Sequence, residues 1–454
     1  MDSMTESFWS ALGGPADVLT GLAPVVGADS LPSYFRVTDL ATATISAAGL
    51  ALAELITELT GSAPTLTVDR ALASGWFGTS FRPAGWTVPS PWDALAGDYR
   101  AANGWIRLHT NAPHHRAAAL RVLDVRADRD AVAAAVALWQ PRALEAAIVA
   151  DGGCGAAMHS EAEWVVHPQG AAVGGEPLVD WSPSGHGSLG EAWQPTGARP
   201  LAGLRVLDLT RVIAGPVATR FLAGFGAAVL RIDPPDWDEP ALAPEVNVGK
   251  RCARLDAKTA AGLDRLRELV TEADVVVHGY RPGALDRLGL GDAERRALRP
   301  GLIDVTLSAY GWSGPWADRR GFDSLVQMSS GIAARGMNWA GSDRPTPLPV
   351  QALDHATVYL LAAAVIRGVT RQVSSGRGTT ARTSLARTAA ALVAAGEQSA
   401  VEPLPGSLPE RDEETFWGPG KRLLPPLSVG DARMRWDRPA APLGGDEPVW
   451  PSPS

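Results

Sequence analysis

Between Leu201 and Gly331, short apolar runs alternate with stretches of helical spacing, and this alternation limits the fold more than any other feature of the chain. Leu204–Leu209 (LRVLDL) is short and rich in branched side chains, flanked by Gly203 and Thr210, and reads as a buried parallel strand. Pro216 then stands where a helix begins, and residues 217–224 are mostly small or apolar. Val229–Ile232, Asp274–His278 and Ile303–Leu307 read as three further strands. Between the second and third, Thr259–Val270 puts Leu263, Leu266, Leu269 and Val270 on one helical face. Strands alternating with helices predict an α/β fold with a doubly wound parallel sheet. Its ligand is expected in the crevice beyond the strand C-termini.

The remaining composition bounds the function. At 454 residues the chain has room for about three domains, and a hydrophobic fraction of 46% with mean hydropathy of −0.01 fits a globular protein with a large core. A net charge of −8, with arginines scattered among alanines, argues against nucleic acid or an anionic membrane as the partner. Cys154 and Cys252 provide neither a disulfide framework nor a metal site, which suits a reducing compartment. The opening MDSMTESFWSALGG lacks a basic start, so no signal peptide is expected and the protein is placed in the cytoplasm. Charges and breakers interrupt the alanine-rich helices, so no membrane span is expected. His109, His114 and His115 have no Cys or carboxylate at ligand spacing and read as a polar loop rather than a metal site. Gly152, Gly153 and Gly155 lack the strand-before, helix-after setting of a phosphate loop, and no G-x-S-x-G elbow occurs.

An internal repeat is visible. Val37–Leu55 and Leu353–Ile366 are long small-residue helices, each with an Asp near its start. Aligning Asp39 with Asp354 brings Ala41 onto Ala356, Thr42 onto Thr357, Gly61 onto Gly376 and Thr65 onto Thr380 without a gap. Two alanine-rich helices also align by chance, so the repeat stands as an expectation.

Several segments resemble the family III CoA-transferases of the CaiB/BaiF type, in order and at the family's spacing. They are RVLDLTRVIAGP, GAAVLRIDPP, KRCARLD, ADVVVHGYRPGALDRLGLG and SAYGWSGPWADRRGFDSLVQMSSG. The resemblance implies a Rossmann-like CoA-binding large domain over 201–400 and a smaller α+β domain over 73–180. Residues 1–72 would then be a partial large-domain repeat, 181–200 a Gly/Pro/Ser-rich linker, and 401–454 a Pro-rich return segment. Residues 73–180 are expected to close over a site built by 201–400, with the Asp39 helix beside the Asp354 helix.

The resemblance further implies an acyl-CoA:carboxylate CoA-transfer in which Asp354 attacks the thioester, with Asp323 of GFDSL nearby. By itself an acid at a helix start reads as an N-cap, and Asp39 keeps that reading. A helix N-terminus also favours a carboxylate and offers N–H groups to an oxyanion. By position, CoA contacts fall on Val212, Ala214 and Gly215 in the first turn, on the basic pair Lys250 and Arg251, and on Arg287. Arg320 would replace a base absent at Pro234. CoA is expected as a substrate with no resident cofactor or metal, a carboxylic acid as acceptor, and a homodimer as the assembly.

Two other readings stay open. An α-methylacyl-CoA racemase of this fold uses a His where this chain has Phe322, and Phe exchanges no proton. A CoA-binding protein without turnover is the third, because Leu353 and His355 flank Asp354 where the family often has Gly.

Overall fold

The computed structural model describes residues 3–27, 29–399 and 402–451. Among them, the central sheet has seven strands: β1 (Asp180–His186), β2 (Arg205–Leu209), β3 (Ala228–Asp233), β4 (Lys250–Arg254), β5 (Val275–His278), β6 (Ile303–Ser308) and β7 (Arg377–Ser384). Their spatial order is β4-β3-β2-β5-β6-β7-β1, and each pairing is parallel except β7 with β1. Counted from β2, the six parallel strands follow the 3-2-1-4-5-6 order of the doubly wound Rossmann fold. The order reverses between β2 and β5, so the ligand crevice lies beyond Leu209 and His278.

Both faces of the sheet are covered, and strand periodicity divides the side chains between them. Val206, Val229, Val275, Val277 and Ile303 join one core with α1 (Val37–Thr60), α2 (Ala214–Gly224) and α5 (Ala352–Ser375). Leu207, Leu209, Leu230 and Val276 face the other way, against Leu266 and Leu269 of α3 (Ala260–Glu272).

Helices α1 and α5 are twins. Each has 24 residues and ends at a left-handed glycine, Gly61 (φ 72°) or Gly376 (φ 66°). The correspondence continues beyond them. Asp69 caps a helix at Arg70–Trp76 by accepting from the Leu72 N–H, and at the matching offset Ser384 caps Leu385–Ala394 by accepting from Arg387. The strand Leu66–Val68 falls at the offset of Ala381–Thr383 in β7. Helices α1 and α5 pack against each other in the middle of the molecule.

Two expectations are corrected here. The proposed 181–200 linker begins with a strand, because residues 180–186 pair with β7 and close the sheet's edge. Alternating Trp181, Pro183 and glycines hide this strand from a pattern search. The second concerns the alanine-rich helices: α1 and α5 are in fact long and apolar enough to cross a membrane by length and composition. Their most apolar stretches are 89% and 100% buried inside the protein, where they form its core instead.

Residues 97–157 supply a smaller α+β unit. Three antiparallel strands (Gly97–Ala101, Gly104–Leu108, Gly155–Ala157) carry helices Pro113–Leu123, Arg129–Val136 and Pro141–Ala150. Its Trp105, Cys154 and Ala156 pack on Leu325 and Met328 of α4 (Asp323–Ser329). The C-terminal segment returns to the N-terminal part: Gly418–Leu423 pairs with Phe81–Pro83, and Leu427–Val429 with Leu66–Val68. Asp446 bridges Ala253 and so covers the exposed side of β4.

Candidate active site

The turn after β2 opens the crevice. Val212 is a β-branched residue in the left-handed region (φ 66°), a strained conformation of the kind that clusters at functional sites. Its N–H is held by Glu239 Oε1 at 2.7 Å. Gly215 follows, and any Cβ there would lie 2.1 Å from Thr210, so only glycine allows this tight entry into α2.

From this turn a cavity of about 440 Å³ runs past Gly279–Pro282, Ser308 and Phe322 to Asp354. Asp354 lies in the first turn of α5, where the helix dipole favours negative charge. It is nearly buried, 8% exposed. Asp323, fully buried behind it, accepts hydrogen bonds from the N–H groups of Leu353 (2.8 Å) and Asp354 (3.0 Å) and from the Gln327 amide. Burial pushes the Asp323 carboxyl up to about 6. Burial, and then the charge of Asp323, hold Asp354 well above the usual carboxylate range. The two acids therefore titrate as a pair, with a proton favoured on Asp354 in the empty site.

The walls are cationic and aromatic. Arg211 lies over the rings of Trp237 (4.7 Å) and Tyr280 (5.7 Å). Arg319 stacks on Trp316 at 4.0 Å and pairs with Glu145 at 2.7 Å. No ion-pair partner lies within 4.0 Å of Arg211, Arg281 or Arg320 among the described residues. The smaller unit closes the opposite side with His114 and His115. Burial, the largest cause, brings His115 down to about 3 and His109 to about 4, so both are neutral near pH 7. Planar guanidinium groups without carboxylates, at the C-terminal edge of such a sheet, suit a phosphate-bearing ligand.

Residues 201–415 match the sequence pattern of CoA-transferase family III. This part of the chain is similar to that family. A probable fatty acyl-CoA transferase of Mycobacterium tuberculosis is 34% identical over 193 residues, 39% of this chain and 48% of that protein. The succinyl-CoA:glutarate CoA-transferase of Mus musculus is 32% identical over 195 residues, 40% of this chain and 44% of that protein. A crystal structure of a hypothetical Mycobacterium tuberculosis protein matches with 31% identity and a TM-score of 0.39, over 43% of this chain and 58% of that one. The chain thus spans about half or less of the length of these curated relatives.

Within this family III framework, Val212, Ala214, Gly215, Arg320 and Asp354 line one cavity, and Asp323 stands directly behind it. Three expected CoA contacts lie elsewhere. The Lys250 side chain is fully buried, its ammonium 3.0 Å from Asp208 Oδ2 and 2.7 Å from the Pro216 carbonyl. Lys250 alternates inward on β4 and braces β2 against α2. Arg251 reaches Asp446 (3.6 Å) at the sheet edge. Arg287 sits exposed on the turn Asp286–Leu288, outside the lining, although its charge presses on Arg281.

One expected role also changes. The N–H groups of Leu353 and Asp354, expected to serve an oxyanion, are already taken by Asp323. Asp39, the twin of Asp354, is held by Arg36 and Arg70, each at 2.6 Å. At the offset of Arg70 stands Leu385, which lines the Asp354 cavity. One twin carboxylate is thus charge-neutralised and the other faces a cavity.

Arg211, Arg281 and Arg319 were not singled out from the sequence, and His114 and His115, read there as part of a polar loop, stand on the helix Pro113–Leu123. Arg211 and Arg281 lie just past the ends of β2 and β5, so the rule for ligand crevices pointed to them. Nothing in the local pattern signals the histidines, which arrive from a separate unit. Phe322 stacks flat on His109, ring centroids 3.7 Å apart and planes within 1°.

Proposed function

We propose that this protein transfers coenzyme A between an acyl-CoA and a carboxylic acid, with Asp354 as the nucleophile. The observation that carries this reading is the placement of Asp354 in one cavity with the strained β2 turn and the unpaired arginines. An Asp354 carboxylate oxygen attacks the thioester carbonyl, the C–S bond breaks, and CoA leaves as thiolate with a mixed anhydride formed. The thiolate then attacks the Asp354 carboxyl carbon, releasing the first acid and leaving an aspartyl-CoA thioester. The acceptor carboxylate repeats the sequence in reverse order and departs as the new acyl-CoA. Covalent capture divides one hard exchange into easier steps.

This chain's residues suit those steps. Arg211 is available for the phosphates of CoA, and Trp237 and Tyr280 provide flat faces beside it. Asp323 fixes the start of α5 and so the position of Asp354. Neutral His114 and His115 roof the cavity and limit access of water, which would hydrolyse an anhydride. Fatty acyl and short dicarboxylic groups are both handled by relatives, judged by their names. The buried free thiols Cys154 and Cys252 suit a reducing cytoplasm, and a homodimer is the assembly we propose.

The test is mass spectrometry of the protein after exposure to a panel of acyl-CoAs, with hydroxylamine trapping. A hydroxamate on Asp354 is expected; one on Asp39, or none with any donor, overturns the assignment.

A further inference from the structure

A second cavity of about 540 Å³ adjoins the first, and Arg281, Arg319 and Arg320 line both. Its far wall comes from Arg142 and Ala146 of the smaller unit and from His167 in the segment that follows it, and its near wall includes Trp316 and Asp318. We propose that this second cavity seats the acceptor acid and selects acids that carry a second carboxylate. The inference rests on the CoA-transfer reading above.

Charge balance points to an anion here. Arg319 is neutralised by Glu145 (2.7 Å) and Arg142 by Glu163 (2.6 Å). Arg281 and Arg320 remain at the junction without an ion pair among the described residues, and Asp318 lines the same cavity. Burial first, and then the neighbouring Arg320 and Arg287, make the charged form of Arg281 harder to hold. A bound carboxylate at the junction relieves both arginines.

His167 adds a donor. Its Nδ1 accepts from the Gln169 N–H at 3.1 Å, so the neutral ring carries its proton on Nε2. Trp316 packs on that ring at 4.5 Å and holds it in the wall. Burial and the charges of Arg142 and Arg319 keep His167 neutral, so it donates without adding charge.

The layout separates the two substrates. The donor thioester fills the first cavity, its phosphates towards Arg211 and its carbonyl at Asp354. The acceptor enters through the second cavity, its reactive carboxylate passing the arginine junction and its other carboxylate remaining behind. A monoacid of equal length leaves those arginines unpaired, and a site built around polar groups rejects an analogue that lacks the matching group.

The experiment uses the full chain, with glutarate and pentanoate as probes in the presence of CoA, and reads binding by calorimetry. Ala146 is exposed on its helix, so Ala146→Trp fills the cavity without entering the core. His167→Ser keeps a helix cap and removes the Nε2–H donor. Wild type is expected to favour glutarate over pentanoate by about tenfold or more, the scale of a hydrogen-bonded charge. Ala146→Trp should abolish glutarate binding and His167→Ser weaken it about tenfold, with CoA affinity unchanged in both. Equal binding of the two acids, or loss of CoA affinity in Ala146→Trp, overturns the proposal. Turnover of an acyl-CoA with glutarate is measured in parallel: absent turnover with intact, cavity-dependent glutarate binding refutes the transfer reading and leaves the acid site standing.

Discussion

The Asp323 carboxylate lies 3.0 Å from the backbone nitrogen of Asp354 and 2.8 Å from that of Leu353, so one acid holds the helix start that carries the other. Both carboxyls are buried and both are pushed up in pKa, Asp354 further than Asp323. Attack requires ionised Asp354, and the neighbouring charge delays that ionisation.

Adduct formation should therefore rise with pH through neutrality. Asp323→Asn removes the repelling charge, so the acid limb of the pH–rate profile should move to lower pH. Its maximal rate should fall about tenfold, since Asn holds the helix start less firmly than a carboxylate. Single-turnover acyl transfer followed over a pH series measures both; an unmoved acid limb refutes the coupling.

Asp354→Asn should reduce turnover by about 10³-fold or more, the scale of losing a nucleophile, while raising stability. The sign follows from linkage: the folded pKa is raised, so the folded state binds protons more tightly than the unfolded one. Wild-type stability then declines as pH rises above about 4, the ordinary carboxyl value. Asn has no such decline. Thermal melts at several pH values should show the variant's advantage widening from acid to neutral pH. Asp39→Ala should leave turnover within about twofold and cost about 1 kcal/mol, since it breaks a partly exposed cluster with Arg36 and Arg70.

Arg211→Gln and Lys250→Met should fail in different ways. Arg211 lines the cavity, and its loss should weaken CoA binding by about 1.5–3 kcal/mol with little change in melting. Lys250→Met leaves Asp208 buried with only Thr210 and Thr219 as side-chain partners, and should cost about 3–5 kcal/mol of stability. Calorimetry below its melting temperature should find CoA affinity intact. Weak CoA binding by a folded Lys250→Met would return Lys250 to the site.

No deuterium should enter the α-carbon of a 2-methylacyl-CoA incubated with the protein in deuterated water. Phe322 cannot exchange a proton, and His109 stacked on it is buried. Incorporation that disappears on changing His114 or His115 would restore an isomerase reading.

Much of the fold was legible in the chain because its signals are local. The period-two strands β2, β3, β5 and β6 and the helical spacing of α3 are set by which residues repeat at short range. The twin helices also declared themselves, since one constant offset aligned Asp39, Gly61 and their neighbours with Asp354 and Gly376. Strands β1, β4 and β7 were missed: Gly, Pro, polar and charged residues carry no strand pattern, and partners in the sheet rather than propensity make them extended.

The site divides the same way. The resemblance to family III pointed to Val212, Gly215, Arg320 and Asp354, and all four line the one cavity. It could not tell which way a long side chain points. Lys250 turns inward to Asp208, while Arg281, a few residues past β5, stays unpaired at the cavity. His114 and His115 meet the large sheet only because a separate unit folds over it. Distance along the chain says nothing of such contacts. The path of the backbone in three dimensions decides which charges are buried in pairs and which are left for a ligand.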